Sequence, residues 1–301
     1  MAETLLVFYL LVASGYLLKI LRVFSTEEVE TFVHYIIYFA LPVAVFGVIH
    51  DFEFSLKDIT VFGTAWFTIA LTYFAVFKVL AKTFKDEREL KTLFLTSAFG
   101  NTAFVGYPIA YTLFGDKGLA YAILYDVVGN FFVVVTFAIF TITGRADWRT
   151  VYRFPPLGAL ILALLLKPFP ITLLKPFIVA VKSSITPVIV FSLGLKIDPK
   201  GVLLNLKPAL LSVFWRQMAI PAVVLLWLYL LNKYILLPFE ERMVILLQSS
   251  MPPFVMSVIL SEKYRLKTDL AVTAVNLGLA VLVLSLPFWF TIGKVVLKGG
   301  N

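Results

Sequence analysis

The sequence predicts an all-α membrane protein: ten transmembrane helices arranged as a five-plus-five inverted repeat, with the fourth and ninth helices broken and crossing. Three observations carry this prediction. Hydrophobic residues make up 60% of the 301 positions, the mean hydropathy is +0.95 and charged residues reach only 15%, well below the soluble norm of about 25%. Apolar runs of the ~20 residues needed to cross a bilayer recur from end to end, which leaves no segment for a sizeable soluble domain. Finally, the chain is similar to itself at half its length. "LPVAVF" (41–46) matches "TPVIVF" (186–191), placing Pro42 and Pro187 145 positions apart. Asn130 and Asn276, 146 apart, each open an apolar run that closes on "TITG" (141–144) or "TIG" (291–293).

The first span, 2–21, follows Glu3 rather than lysines and lacks a small-x-small cleavage site, so it reads as a retained helix rather than a signal peptide. Spans two and three follow at 29–50 and 58–80. The fourth, 91–114, contains "SAFGNTAFVGYP" (97–108), whose glycines, asparagine and proline suit a plain lipid-facing helix poorly. The fifth covers 118–143. The sixth, 150–167, is short in its apolar core, Leu157 to Leu166, and is flanked by Pro155, Pro156 and Pro168, which predicts a tilted or partly embedded helix. The repeat places it opposite the first span and so retains it. Spans at 174–195, 206–231, 240–261 and 268–295 complete the set.

Counting lysine and arginine on alternate sides gives sixteen against eight, which makes the richer side cytoplasmic and puts both termini outside. This bias also accounts for the net charge of +8 without a nucleic-acid partner. An odd number of spans per half inverts the second copy. The repeats are therefore 1–146 and 147–301, an arrangement common among secondary transporters. The chain has no cysteine, so disulfides and thiolate chemistry are excluded, and His34 and His50 alone make no zinc site. There is no zinc-protease motif, no phosphate-binding loop and no sign of a cofactor, which argues against an enzyme or an ATP-driven pump.

Inverted-repeat transporters build their sites from discontinuous helices near the midplane, one per half. In the fourth span Gly100, Asn101, Thr102, Gly106 and Pro108 allow the helix to open. In the ninth, "QSSMPPFVMS" (248–257) offers Gln248, Ser249, Ser250, Pro252 and Pro253. Amides left open at a half-helix N-terminus attract anions, and carbonyls left open at a C-terminus attract cations. The two stretches together predict a substrate cradle, with Tyr107 as an aromatic contact beside the break and Asn276 as the repeat partner of Asn130. Asp126 lies one turn before Asn130 on the same face and is a candidate protonation switch or charge partner. Arg216, in the middle of the eighth span, either grips a carboxylate or neutralises Asp126. Lys182 and His34 are further polar residues in the spans, and Asp86 to Glu89 reads as a solvated cytoplasmic turn.

"GNTAFVGYP" (100–108), "YDVVGN" (125–130), "MPPFVMSVILSEKY" (251–264) and "VNLG" (275–278) resemble the auxin efflux carrier family, which includes plant auxin exporters and bacterial carriers of malate or malonate type. The resemblance covers the whole chain. Its ninth-span match is looser, because plant members have proline where this chain has Ser257. It implies a scaffold of spans 1, 2, 6 and 7 that serves as a homodimer surface, and a moving transport domain of spans 3–5 and 8–10. It also implies a small organic carboxylate as substrate, carried by an elevator-type displacement across the cell membrane. A sodium- or proton-coupled carrier of the same architecture for another solute is the alternative.

Overall fold

A computed structural model describes residues 2–25, 27–145, 149, 154–197 and 205–298. Arg153, Lys200 and the repeat boundary at 146–147 lie outside the described residues. Among those residues the protein is helical, with no strand beyond one isolated antiparallel bridge, Gly100 to Pro253. The helices are α1 (Ala2–Ile20), α2 (Glu28–Asp51), α3 (Leu56–Lys82), α4 (Glu87–Ala98), α5 (Thr102–Thr143), α6 (Pro155–Leu166), α7 (Lys175–Lys196), α8 (Leu206–Leu231), α9 (Phe239–Ser249), α10 (Met256–Lys263) and α11 (Thr268–Lys298). Among the described residues, six helical stretches are long and apolar enough to cross a membrane, and two shorter apolar helices cover Leu6–Ile20 and Pro155–Leu166. The α5 stretch is two helices joined at Gly115, whose φ of 62° and ψ of −151° only glycine adopts readily.

Two helix starts are fixed by side-chain caps. Ser55 and Asp58 form a reciprocal capping box at the start of α3, each side chain accepting from the other's end of the turn. Asp86 caps α4 by accepting from the Arg88 N–H at 2.9 Å, and its carboxylate also pairs with Lys267 at 3.0 Å. The 86–89 run is thus tied to the turn before α11 as well as solvated. The hydrogen bond from Lys267, followed by that from the Arg88 N–H, holds the Asp86 carboxyl below its ordinary pKa of 3.8.

The chain divides into two compact units. Unit 1 comprises 1–54, 107–123 and 148–197. In it α1 and α7 approach with glycine on both sides: a Cβ on Gly15 would stand 2.1 Å from the Phe191 carbonyl oxygen, and one on Gly194 2.1 Å from that of Val12. Such contact is how helices gain packing energy in lipid, where there is no hydrophobic force between them. Unit 2 comprises 55–106, 124–147 and 198–301. Its core is mainly aliphatic, with an aromatic cluster around Phe94. Phe94 has no exposed surface and meets Tyr73, Phe77, Phe99 and Phe137 at ring-centroid distances of 5.5 to 6.3 Å. Hydroxyls join α4 to α8 within this core, Ser97 donating to Ser212 and Ser212 to Thr96. Outside, large apolar side chains such as Leu165 and Leu284 stand free, as lipid-facing positions require.

Candidate functional site

Two helices of unit 2 stop short. α4 ends at Ala98, and Phe99 to Asn101 are not helical before α5 resumes with a turn of π-helix at Thr102–Gly106. α9 ends at Ser249, and 250–255 separate it from α10. Pro252 and Pro253 explain the second gap, since neither has an N–H to continue the helix. The first gap falls at Gly100 and Asn101 and not at Pro108, which sits inside α5 just after the π-turn.

The gaps face each other and satisfy each other's backbone. The Asn101 N–H donates to the Pro252 carbonyl at 2.7 Å, and the Phe254 N–H donates to the Phe99 carbonyl at 3.2 Å. Three further carbonyls are taken by one side chain. Arg216, with no exposed surface, donates from Nε to Met251, from Nη1 to Ala98 and from Nη2 to Gln248, at 3.2, 3.3 and 3.2 Å. Ala98 is the last residue of α4 and Gln248 the penultimate residue of α9. A permanent cation therefore sits on the negative ends of both interrupted helices. Gly100 is required by this arrangement, because a Cβ there would lie 2.1 Å from Arg216 Nη2.

A second layer is built from side chains. Asn130 donates from Nδ2 to Thr102 Oγ1 at 2.9 Å, and the Thr102 hydroxyl donates to Asp126 Oδ1 at 2.5 Å. The hydroxyl has one proton, and the Asn130 donation directs it toward the carboxylate. All three residues are buried. Beside them the side-chain amides of Asn101 and Gln248 are 2% and 1% exposed, yet Asn101 Nδ2 and both Gln248 amide atoms have no hydrogen-bond partner. Buried polar atoms are almost always paired, so these three mark hydrogen-bonding capacity that the protein's own groups leave unused beside a helix break. Gly106 makes room for the glutamine: its Cβ would fall 2.0 Å from Gln248 Oε1.

Unit 2 thus brings together Gly100, Asn101, Thr102, Asp126, Asn130, Arg216 and Gln248, with Ser249, Ser250, Pro252 and Pro253 buried around the second gap. The hydroxyls of Ser249 and Ser250 are turned back on their own helix, to the Leu246 and Leu247 carbonyls. Asn276 is half-buried on α11 and takes part in none of these hydrogen bonds. Tyr107 and Pro108 belong to unit 1, where they line a small cavity with Leu41, Tyr111 and Lys182. Lys182 pairs there with Asp116 and lies over the Tyr111 ring at 5.1 Å. His34 is exposed, 3.9 Å from Glu30.

Sequence reasoning passed over Glu241 and Arg242, which begin α9 yet are 0% and 2% exposed, with Thr60 donating to Glu241 at 2.7 Å. Arg242 reads as a loop cation because it stands near an end of an apolar run. No signal short of the packing itself places it inside.

Residues 1–148 and 139–290 match the profile of the family described as membrane transport protein. An uncharacterized transporter of Methanocaldococcus jannaschii is 28% identical over 311 residues, an alignment covering 95% of this chain and 97% of that protein. An uncharacterized transporter of Methanothermobacter thermautotrophicus is 27% identical over 301 residues, covering 95% and 96%. With the apolar helices, the interrupted pair and a profile match running through nearly all its length, the chain belongs to the membrane transport protein family, the auxin efflux carriers and their relatives, and is an integral membrane protein.

Proposed function

We propose that the protein is a secondary carrier of a small organic carboxylate, binding it at the paired gaps of unit 2. The observation that carries this reading is the set of open, buried amide atoms on Asn101 and Gln248 beside two helix interruptions. An amide nitrogen and the first-turn N–H groups of a restarting helix donate, and a carboxylate accepts from several donors at once. Arg216 offsets the charge of the cargo from behind, through the peptide groups it holds.

In this reading the ten spans form two inverted copies whose broken helices cross at the site. Spans 3–5 and 8–10 move as the transport body against spans 1, 2, 6 and 7, which also pair two copies into a homodimer. Every hydrogen bond of the paired gaps lies inside one compact unit, which supports such a displacement, although 107–123, the end of span 4 and the start of span 5, group with the other unit. The richer basic side faces the cytoplasm, both termini lie outside and the host is the cell membrane.

The test is uptake into liposomes containing the purified protein, across mono- and dicarboxylates and indole acids, with counterflow as the second readout. Saturable uptake and counterflow of at least one carboxylate are expected. Flux that rises linearly with concentration and shows no counterflow would instead mean a passive pore.

A further inference from the structure

Helix C-termini broken inside a membrane protein present carbonyl oxygens that need a cation or a donor, and in many transporters such oxygens coordinate a coupling ion. Here the oxygens of Ala98, Gln248 and Met251 converge on one fully buried guanidinium. Arginine does not lose its proton in proteins, so the charge is permanent. It is also covalently fixed to α8, and the missing Cβ of Gly100 clears its path. The planar fork reaches three carbonyl acceptors that a compact ammonium cannot reach together, so the fit is to arginine in particular.

We propose that Arg216 is a built-in counter-ion occupying the cation position formed by the two interrupted helices, so that no alkali cation binds there and substrate movement needs none. Arg216 is a positioning residue: it touches peptide carbonyls, and through them fixes the spacing of the two gaps on which the substrate amides stand. The transport consequence rests on the carrier reading above. The occupancy of the cation position does not, and the experiment separates the two.

The full-length protein in lipid nanodiscs is unfolded thermally in sodium, potassium or choline chloride at equal ionic strength. Unchanged Tm among the three is expected, whereas a saturable rise in sodium or potassium over choline would overturn the proposal whether or not any substrate has been found. Arg216→Ala is then compared in the same lipids. A fall in Tm on the order of 10 °C is expected, since three buried carbonyls lose their partner. Millimolar methylguanidinium, far below denaturing concentration, should recover part of it. Arg216→Lys, with charge but no fork, should recover less than the wild-type value. An Arg216→Ala protein as stable as wild type would refute the counter-ion role. Where Arg216→Ala does not fold, the wild-type ion series and Arg216→Lys still decide. Carboxylate uptake that requires sodium would leave the carrier reading standing and remove this one.

Discussion

Replacing Asn101 by alanine separates a ligand site from a packing site, because the two predict opposite signs for stability. Asn101 Nδ2 is buried without a partner, and an unmet buried donor costs about 1–3 kcal/mol. Deleting it removes that cost, offset by the small void left behind, so the empty protein should unfold at the same temperature or slightly higher. Binding should change in the other direction. A hydrogen bond to a charged group contributes about 1.5–3 kcal/mol, so Kd for the carboxylate should rise about 10- to 150-fold. The assay is thermal shift without ligand, then ligand titration by the same shift or by calorimetry, on Asn101→Ala and on Asn130→Ala side by side. Asn130 already donates to Thr102, so its removal should lower the stability of the empty protein. An Asn101→Ala protein that binds every tested carboxylate within twofold of wild type, or that is clearly less stable when empty, would refute the assignment of that amide to the substrate.

Other perturbations follow from the same geometry. Gly100→Ala should destabilise unit 2 by about 1–3 kcal/mol and abolish uptake, since its Cβ would stand 2.1 Å from a guanidinium held by three carbonyls; chemical denaturation and liposome flux measure the two effects. Gly194→Ala should cost stability by a similar amount, about 1–3 kcal/mol, through the close approach to Val12 in unit 1, while carboxylate affinity at the unit 2 site stays at the wild-type value. Phe94→Ala should lower stability by about 3–5 kcal/mol, read from denaturant midpoints, because its ring is fully buried in the unit 2 core. The Asp86 carboxyl has its pKa lowered in the folded state, so its pairing stabilises the protein above the ordinary value of 3.8 and is lost as pH falls through the lower folded value. Asp86→Asn should therefore flatten the acid limb of Tm against pH and leave the neutral and alkaline limbs unchanged in shape.

The apolar runs and the two polar stretches were legible in the sequence because each has a local cause. Helix length is set by hydropathy, and Gly100, Pro252 and Pro253 carry their backbone constraints with them. Arg216 was visible as an oddity but its partners were not. Which carbonyls a break leaves open depends on where each helix stops, and the first gap falls at Gly100 and Asn101, upstream of the proline that draws the eye. Tyr107 shows the same limit: a few residues along α5 move it from unit 2 into the lining of a cavity with Lys182 in unit 1. The burial of Glu241 and Arg242 is fixed by packing around the start of α9, and no pattern in neighbouring residues reports it.

Most polar groups at the paired gaps have partners within the protein. In lipid every backbone donor and acceptor needs a partner, and here Asn101 and Phe254 N–H groups, with the Phe99 and Pro252 carbonyls, meet each other. Arg216 takes Ala98, Gln248 and Met251. Thr102, Asn130 and Asp126 form a chain of their own. The open atoms are then amide groups of Asn101 and Gln248, with Gln217 Oε1 and the Tyr125 hydroxyl, and all of them are neutral hydrogen-bonding groups. If Asp126 is ionised its charge balances that of Arg216, and a monocarboxylate would then move one negative charge per cycle. Protonation of Asp126 during loading would make the same cycle neutral. Current on substrate addition in a supported-membrane recording, compared between wild type and Asp126→Asn across pH, distinguishes them: a wild-type current that shrinks as pH falls, and a pH-independent one in Asp126→Asn, is expected if that carboxylate carries the proton. Identical pH profiles would leave Asp126 with its structural hydrogen bond from Thr102 and no part in coupling.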